Sequence, residues 1–193
     1  MTVGLAIEMI CWKCKEKVDG AVCVSCSTIQ PPPPRPDYFG ILGLPRRFFL
    51  TDLEQAYRKK SRRVHPDRFV GKSAVERRMS LLWTAALNEA LRVLSKPISR
   101  ARYLATGKGE VDESKKITLS PEFLESVFSL QLQAMEDPEA AANKARVDHD
   151  KLYQTLEDIF TRWEKEQDDS VLQMVEVLLA QLNYLQKLLP NNR

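Results

Sequence analysis

The sequence predicts a mainly α-helical protein with a small cysteine knuckle near its N-terminus. Three observations carry this. From about residue 37 onward, apolar residues recur every three or four positions, the period of a helix buried on one face. Strand signals are nearly absent beyond the cysteines, and the 193 residues include only 7 glycines. All four cysteines fall within the first 26 residues, a segment too short to bury a core of its own.

Apolar residues make up 44% and charged residues 28%, the balance of an ordinary globular chain. The net charge of +3 conceals two regions of opposite sign. Residues 1–112 hold 20 Lys and Arg against 11 Asp and Glu, a net of +9, while residues 113–193 hold 9 against 15, a net of −6. Two such surfaces favour different partners. No apolar run is long enough to span a bilayer. Met1 to Ile10 lacks a basic region and is interrupted by Glu8, unlike a signal peptide. The expected setting is the cytoplasm, or the mitochondrial matrix if a presequence has been removed.

Pro31 to Pro34 and Pro36 predict a stiff, extended linker that separates the cysteine segment from the helices. A short helix is expected from Tyr38 to Leu42, ending at Gly43. A second begins at Thr51 or Asp52 with Leu53, Ala56, Tyr57 and Val64 inward, and stops at Pro66, because the residue before a proline leaves the α region. A third spans about Ser73 to Leu94, with Met79, Leu82, Ala86, Ala90 and Val93 as its expected inner face. A fourth, short one covers Ser99 to Ala105, before Gly107-Lys108-Gly109 breaks the chain. The second and third would pair as an antiparallel hairpin. Beyond the break, Ser120-Pro121 starts a helix to about Met135, Pro138 opens one to about Lys165, and Asp168-Asp169-Ser170 starts a third. Leu172, Val175, Leu179, Leu182 and Leu189 share a face of that last helix. Short connections predict a three-helix bundle.

Cys11-x2-Cys14 and Cys23-x2-Cys26 form a paired pattern suited to tetrahedral sulfur ligation. The expected cofactor is one structural Zn²⁺ held by all four thiolates, with no open position for hydrolysis. Two disulfides, or an iron–sulfur cluster on the same sulfurs, are the competing readings.

The segment Arg58 to Val64 is strongly basic, with Lys59, Arg62 and Arg63 on one face and Arg58 alongside. Such a stripe suits an acidic partner. It could also be a solvated face, or with a zinc knuckle a nucleic-acid surface, although it lacks interleaved aromatics. His65 follows it. His149 is the only other histidine and no nucleophile accompanies His65, so no enzyme site is expected.

His65-Pro66-Asp67 lies in the loop between the basic helix and the long helix. With Tyr38-Phe39-x2-Leu42-Gly43-Leu44 and Asn88-Glu89-Ala90-x3-Leu94, it resembles the J domain of DnaJ-type co-chaperones. Leu94-x2-Pro97-x2-Arg100-Ala101-x-Tyr103-Leu104, running on into an acidic helical bundle, narrows the resemblance to the HscB family, and the cysteine knuckle resembles an extension found on some members. The resemblance implies a zinc segment and linker over 1–34, a J domain over 35–107 and a scaffold-binding three-helix bundle over 108–193. It implies a co-chaperone that stimulates a DnaK-class ATPase chaperone of the HscA type through His65, Pro66, Asp67, Arg58, Lys59, Arg62 and Arg63. The partner it implies for the bundle is an IscU-type iron–sulfur scaffold protein, met by Leu124, Phe128, Leu132 and Tyr184. Membrane and nucleic acid are not expected partners. The chain departs from the family patch at Ser129 and Leu132, where acids are usual, while Glu125 and Glu136 stand nearby. Leu124, Phe128 and Leu132 could instead be bundle core, although Phe123, Val127 and Leu130 already supply an inward line. A general J-domain co-chaperone is the alternative, weighed down by the absence of a Gly/Phe-rich linker.

Overall fold

The computed structural model describes residues 9–110 and 117–189. Most of the Met1–Ile10 segment, read above as no signal peptide, lies outside the described residues. The fold is mainly α, and among the described residues the one strand pair lies at the cysteine segment. It divides into two compact units, 1–95 and 96–193.

In the first unit, β1 (Met9–Ile10) pairs antiparallel with β2 (Lys17–Val18), and Val22 bridges to Ile29. The helices are α1 (Tyr38–Leu42), α2 (Leu53–Val64) and α3 (Ala74–Ser95). Asp37 caps α1 by accepting from the Gly40 N–H, and Gly43 closes it at φ 72, the left-handed conformation glycine adopts without strain. Ser73 and Glu76 cap α3 reciprocally: the Glu76 carboxylate accepts from the Ser73 N–H and hydroxyl, and the Ser73 Oγ accepts from the Glu76 N–H.

The α2/α3 hairpin is antiparallel. Tyr57 donates to the Asn88 side chain at 2.7 Å and Ser80 donates to the Val64 carbonyl at 2.6 Å, partners that run in opposite order along the two helices. The inner face of α3 differs from the expected one. Glu76, Ser80, Trp83, Leu87, Ala90, Val93 and Leu94 are buried, whereas Leu82 is exposed and Met79 and Ala86 are half-buried. The sequence Leu81-Leu82-Trp83 offers an apolar residue in several directions. Which one turns inward is set by the partners, since Ser80 and Trp83 each have a carbonyl to satisfy.

The proline run does not hold the cysteine segment apart. Trp83 donates its indole N–H to the Gln30 carbonyl at 2.7 Å in a buried bond. A cavity of about 290 Å³ is walled by Gly20, Ala21 and Pro33 on one side and by Lys60, Trp83 and Leu87 on the other. The segment is thus packed on α2 and α3.

The second unit comprises α4 (Pro97–Thr106), α5 (Pro121–Glu136), α6 (Pro138–Glu166) and α7 (Val175–Leu188). Ser120 and Asp137 cap α5 and α6 through their side chains, each with Pro at the first turn. A 3-10 segment, Asp169–Met174, leads into α7, so Asp168 caps a tighter turn than the α-helix the sequence predicts there. The core lies along α6 and α7, with Leu156, Phe160, Trp163, Val175, Leu179, Leu182 and Leu185 buried and Val127 and Leu130 of α5 joining them. The Trp163 indole donates to Asp169 at 2.9 Å, which fixes the turn between the two helices. Helix α4, read from the sequence as the last helix of the preceding domain, packs on α7 and the 3-10 segment. Its Ala101 and Leu104 need burial, and periodicity alone does not say against which neighbour. Among the described residues no helix is long and apolar enough to cross a membrane.

Candidate functional site

Three sets of side chains invite a functional reading: the cysteine cluster, the loop after α2 and the outer face of α5.

The cysteine cluster is built from two repeated knuckles. In the first, the Cys11 N–H donates to the Glu16 carbonyl at 2.8 Å and the Lys15 N–H to the Cys11 carbonyl at 3.0 Å, with Lys15 at φ 65. In the second, the Cys23 N–H donates to the Thr28 carbonyl and the Ser27 N–H to the Cys23 carbonyl, both at 2.9 Å, with Ser27 at φ 55. Each knuckle turns two sulfurs to one point. All four Sγ atoms lie within 4.8 Å of one another, and the Cys11–Cys26 and Cys14–Cys23 pairs are each 3.6 Å apart. A tetrahedral ion with metal–sulfur bonds of about 2.3 Å has edges of roughly 3.8 Å. The sulfurs are free thiols, so the donor set fits a metal ion. A supporting layer surrounds them. Gln30, itself buried, donates its amide to Cys11 Sγ at 3.3 Å and to the Thr28 carbonyl at 2.8 Å, and it accepts the Trp12 N–H at 3.2 Å. Such groups orient ligands. The sequence gives no signal for Gln30 beyond its being a polar residue beside a cysteine pair.

The acidities of the thiols are split. At Cys11 burial opposes ionisation, but the backbone N–H groups of Cys14 and Lys13 and the neighbouring thiols outweigh it and bring the group down to about 6. At Cys14 the Glu16 N–H favours the thiolate, but burial and the sulfurs of Cys26, Cys11 and Cys23 push it up to about 12. Cys26 is lowered, first by the Thr28 hydroxyl. Metals are bound by the thiolate form, so any ion held by these four sulfurs would be taken up with release of the protons they carry.

The loop after α2 is held at both ends. The Ser80 hydroxyl takes the Val64 carbonyl, one of the helix-end acceptors that α2 cannot satisfy itself. His65 then turns outward at φ −55, ψ 134, and Pro66–Phe69 forms a 3-10 turn. The Asp67 N–H donates to His65 Nδ1 at 3.3 Å, the Arg68 N–H to the His65 carbonyl at 3.0 Å, and Phe69 anchors the turn in the core. Side-chain exposure is 50% at His65 and 86% at Asp67, so a rigid loop presents polar groups to solvent.

Arg58, Lys59, Arg62 and Arg63 are exposed on α2, away from buried Leu53 and Val64. Arg58 pairs with Glu54 at 3.1 Å across one turn. Lys60, outside the expected set, lies half-buried against Gly43, and burial and then Arg63 and Lys59 lower its affinity for a proton. Arg68 extends the positive charge past the loop.

On α5, Leu124, Phe128 and Leu132 are 45%, 60% and 50% exposed, while Val127 and Leu130 are buried. The two apolar lines thus have different environments. Met135 continues the outer line at 83% exposure; it was not singled out in the sequence, although it follows Leu132 at helical spacing. Tyr184 on α7 is 44% exposed, with the Lys187 ammonium 5.8 Å from its ring centre. It borders a hollow of about 340 Å³ with Arg102, Glu176 and Asn183; the three α5 side chains do not line that hollow.

Comparison with known proteins gives one pattern. The DnaJ domain model matches residues 37–103. A co-chaperone protein HscB homolog of Bordetella pertussis is 39% identical over 132 residues, which is 64% of this chain and 78% of that protein. An iron-sulfur cluster co-chaperone protein HscB homolog of Arabidopsis thaliana is 32% identical over 171 residues, 86% of this chain and 68% of that one. Among solved structures, human co-chaperone protein HscB aligns with TM-score 0.74 at 24% identity, over 93% of this chain and 94% of its own, a likeness of fold. Chaperone HscB of Vibrio cholerae aligns with TM-score 0.59 at 25% identity, over 79% and 93%.

Proposed function

We propose, because this chain belongs to the HscB family of J-domain co-chaperones, that it serves iron–sulfur cluster assembly by stimulating ATP hydrolysis on a DnaK-class chaperone of the HscA type and bringing to it an IscU-type scaffold protein. The observation that carries the reading is the His65–Asp67 loop, pinned by Ser80 and Phe69 yet exposed beside the Arg58–Arg63 stripe. A polar loop on rigid supports beside an exposed cationic helix is built to engage another protein, and an acidic partner matches its charge. The reaction it promotes takes place on the chaperone.

The second unit takes the scaffold. Its outward apolar line, Leu124, Phe128 and Leu132, together with Tyr184, offers a contact surface that the bundle core does not use, and an exposed apolar stripe of this kind fits a protein partner. The cysteine cluster takes Zn²⁺ in a structural role: four thiolates close the coordination shell, and a segment of this size draws its folding energy from the ion.

The experiment is a single-turnover ATPase measurement on the chaperone with wild-type chain and with His65→Gln. The variant abolishes stimulation while far-ultraviolet circular dichroism stays unchanged. Normal stimulation by His65→Gln overturns the co-chaperone reading.

A further inference from the structure

We propose that the second cysteine knuckle, Cys23 to Thr28, is part of the surface that receives the ATPase chaperone, so that docking engages the metal-site rim together with the His65–Asp67 loop. The inference rests on the co-chaperone reading and deepens it.

The placement comes first. Val22, Cys23, Val24 and Ser27 line a shallow hollow of about 280 Å³ whose other wall is Arg63 and Arg68. Those two arginines bracket His65-Pro66-Asp67 in the chain. A standard interface covers about 800 Å² on each partner, a disc of roughly 16 Å radius. A partner centred on the loop therefore covers both guanidinium groups and reaches the knuckle they face.

The chemistry of the rim suits such a contact. Val24 at the knuckle tip is 85% exposed. A valine so placed contributes nothing to the core of its own unit and offers apolar area to a partner. Beside it stand two cationic side chains and no acidic one among the residues lining the hollow. The complementary surface is acidic with an apolar contact at its edge, which is also what the α2 stripe calls for.

Rigidity comes from the same residues that build the sulfur site. The two backbone bonds between Cys23 and its loop fix the tip, and the Trp83 bond to the Gln30 carbonyl anchors the segment on α3. The tip is thereby pre-organised, and little ordering entropy is lost when a partner covers it.

The test uses the full chain and a purified HscA-type chaperone. Val24→Glu is expected to raise the concentration for half-maximal ATPase stimulation at least about fivefold at low salt, with zinc content and helicity unchanged. Val24→Lys should raise it less, because an acidic partner tolerates the cation. A photo-crosslinking amino acid at position 24 should capture the chaperone. If both substitutions leave the half-maximal concentration at the wild-type value and no crosslink forms, the inference is overturned, and capture of a single-stranded oligonucleotide in place of the chaperone overturns it too. His65→Gln separates the two levels: its silence with normal Val24 variants sinks only the knuckle contact, whereas its normal stimulation removes the co-chaperone reading itself.

Discussion

Trp83, in the middle of α3, donates its indole N–H to the main-chain carbonyl of Gln30 at 2.7 Å, and the same Gln30 donates its side-chain amide to Cys11 Sγ at 3.3 Å. One residue thus joins the helical hairpin to the sulfur cluster. Trp83→Phe keeps most of the packing and leaves that carbonyl buried without its donor, a loss of about 1–3 kcal/mol. The expected results are a lower melting temperature and faster release of metal to a chelator. An unchanged release rate would mean that the knuckle is independent of α3.

Metal content follows from the cluster geometry. Wild-type protein should carry one Zn²⁺ per chain by elemental analysis, and Cys14→Ser should carry little. Because the knuckles pack on α2 and α3, melting of the first unit should also shift downward in that variant. Two disulfides by mass spectrometry, or iron in place of zinc, would refute the assignment.

The basic stripe should act through charge alone. Arg62→Glu with Arg63→Glu should weaken chaperone stimulation several-fold without changing helicity. Raising salt should mimic the loss in the wild type, since exposed charges are screened beyond roughly 10 Å at 0.1 M. Titration of stimulation against ionic strength, steep for the wild type and flat for the double variant, checks this.

The outward line on α5 can be separated from the inward one. Leu124→Ala and Phe128→Ala should each reduce affinity for an IscU-type scaffold by roughly tenfold if they are central anchors. Melting should change little, because both side chains are exposed. Val127→Ala, in the buried line, should do the reverse: lower stability by about 1–3 kcal/mol and leave scaffold affinity near the wild-type value. The opposite pattern would make the outer stripe structural.

Glu76 gives the first unit an acid sensitivity. The Ser73 hydroxyl, against the cost of burial and with help from the Ser73 N–H, Lys13 and Lys72, holds its carboxyl below the usual 4.5. A carboxyl lowered on folding stabilises the folded state fully above its unfolded value, and that contribution is lost as pH falls through the folded one. Glu76→Ala should cost about 1 kcal/mol at pH 7 through the lost cap. The gap to wild type should close on acidification below about pH 4.5, read from denaturant melts at several pH values.

Helix ends were written plainly in the sequence. Ser120-Pro121, Pro138, Gly43 and Pro66 mark boundaries the structure keeps, because caps and prolines act through the local backbone. The cysteine spacing likewise foretold the four-sulfur cluster. The inner face of α3 was not legible: its direction depends on Ser80 meeting the Val64 carbonyl and Trp83 meeting that of Gln30, contacts 16 and 53 residues apart in the chain. The packing of the knuckle on α2 and α3 was hidden for the same reason, since the proline run resembles a spacer wherever it happens to lie. Gln30 supports Cys11 through a side chain whose local context is unremarked.

Because α4 packs on α7, a piece of the chain ended after Thr106 carries a helix away from its partners. Ala101 and Leu104, 0% and 2% exposed in the whole chain, would meet water on one fragment, and Leu179, which shares a hollow with Ala105, on the other. Both fragments would be prone to self-association. Lys96, exposed and extended at φ −95, ψ 117, sits between Ser95 and Pro97, and severing there leaves each compact unit with its own helices. The workable seam for truncation, limited proteolysis or domain exchange thus falls at Lys96, just ahead of α4, whereas the family match runs on into that helix as far as residue 103.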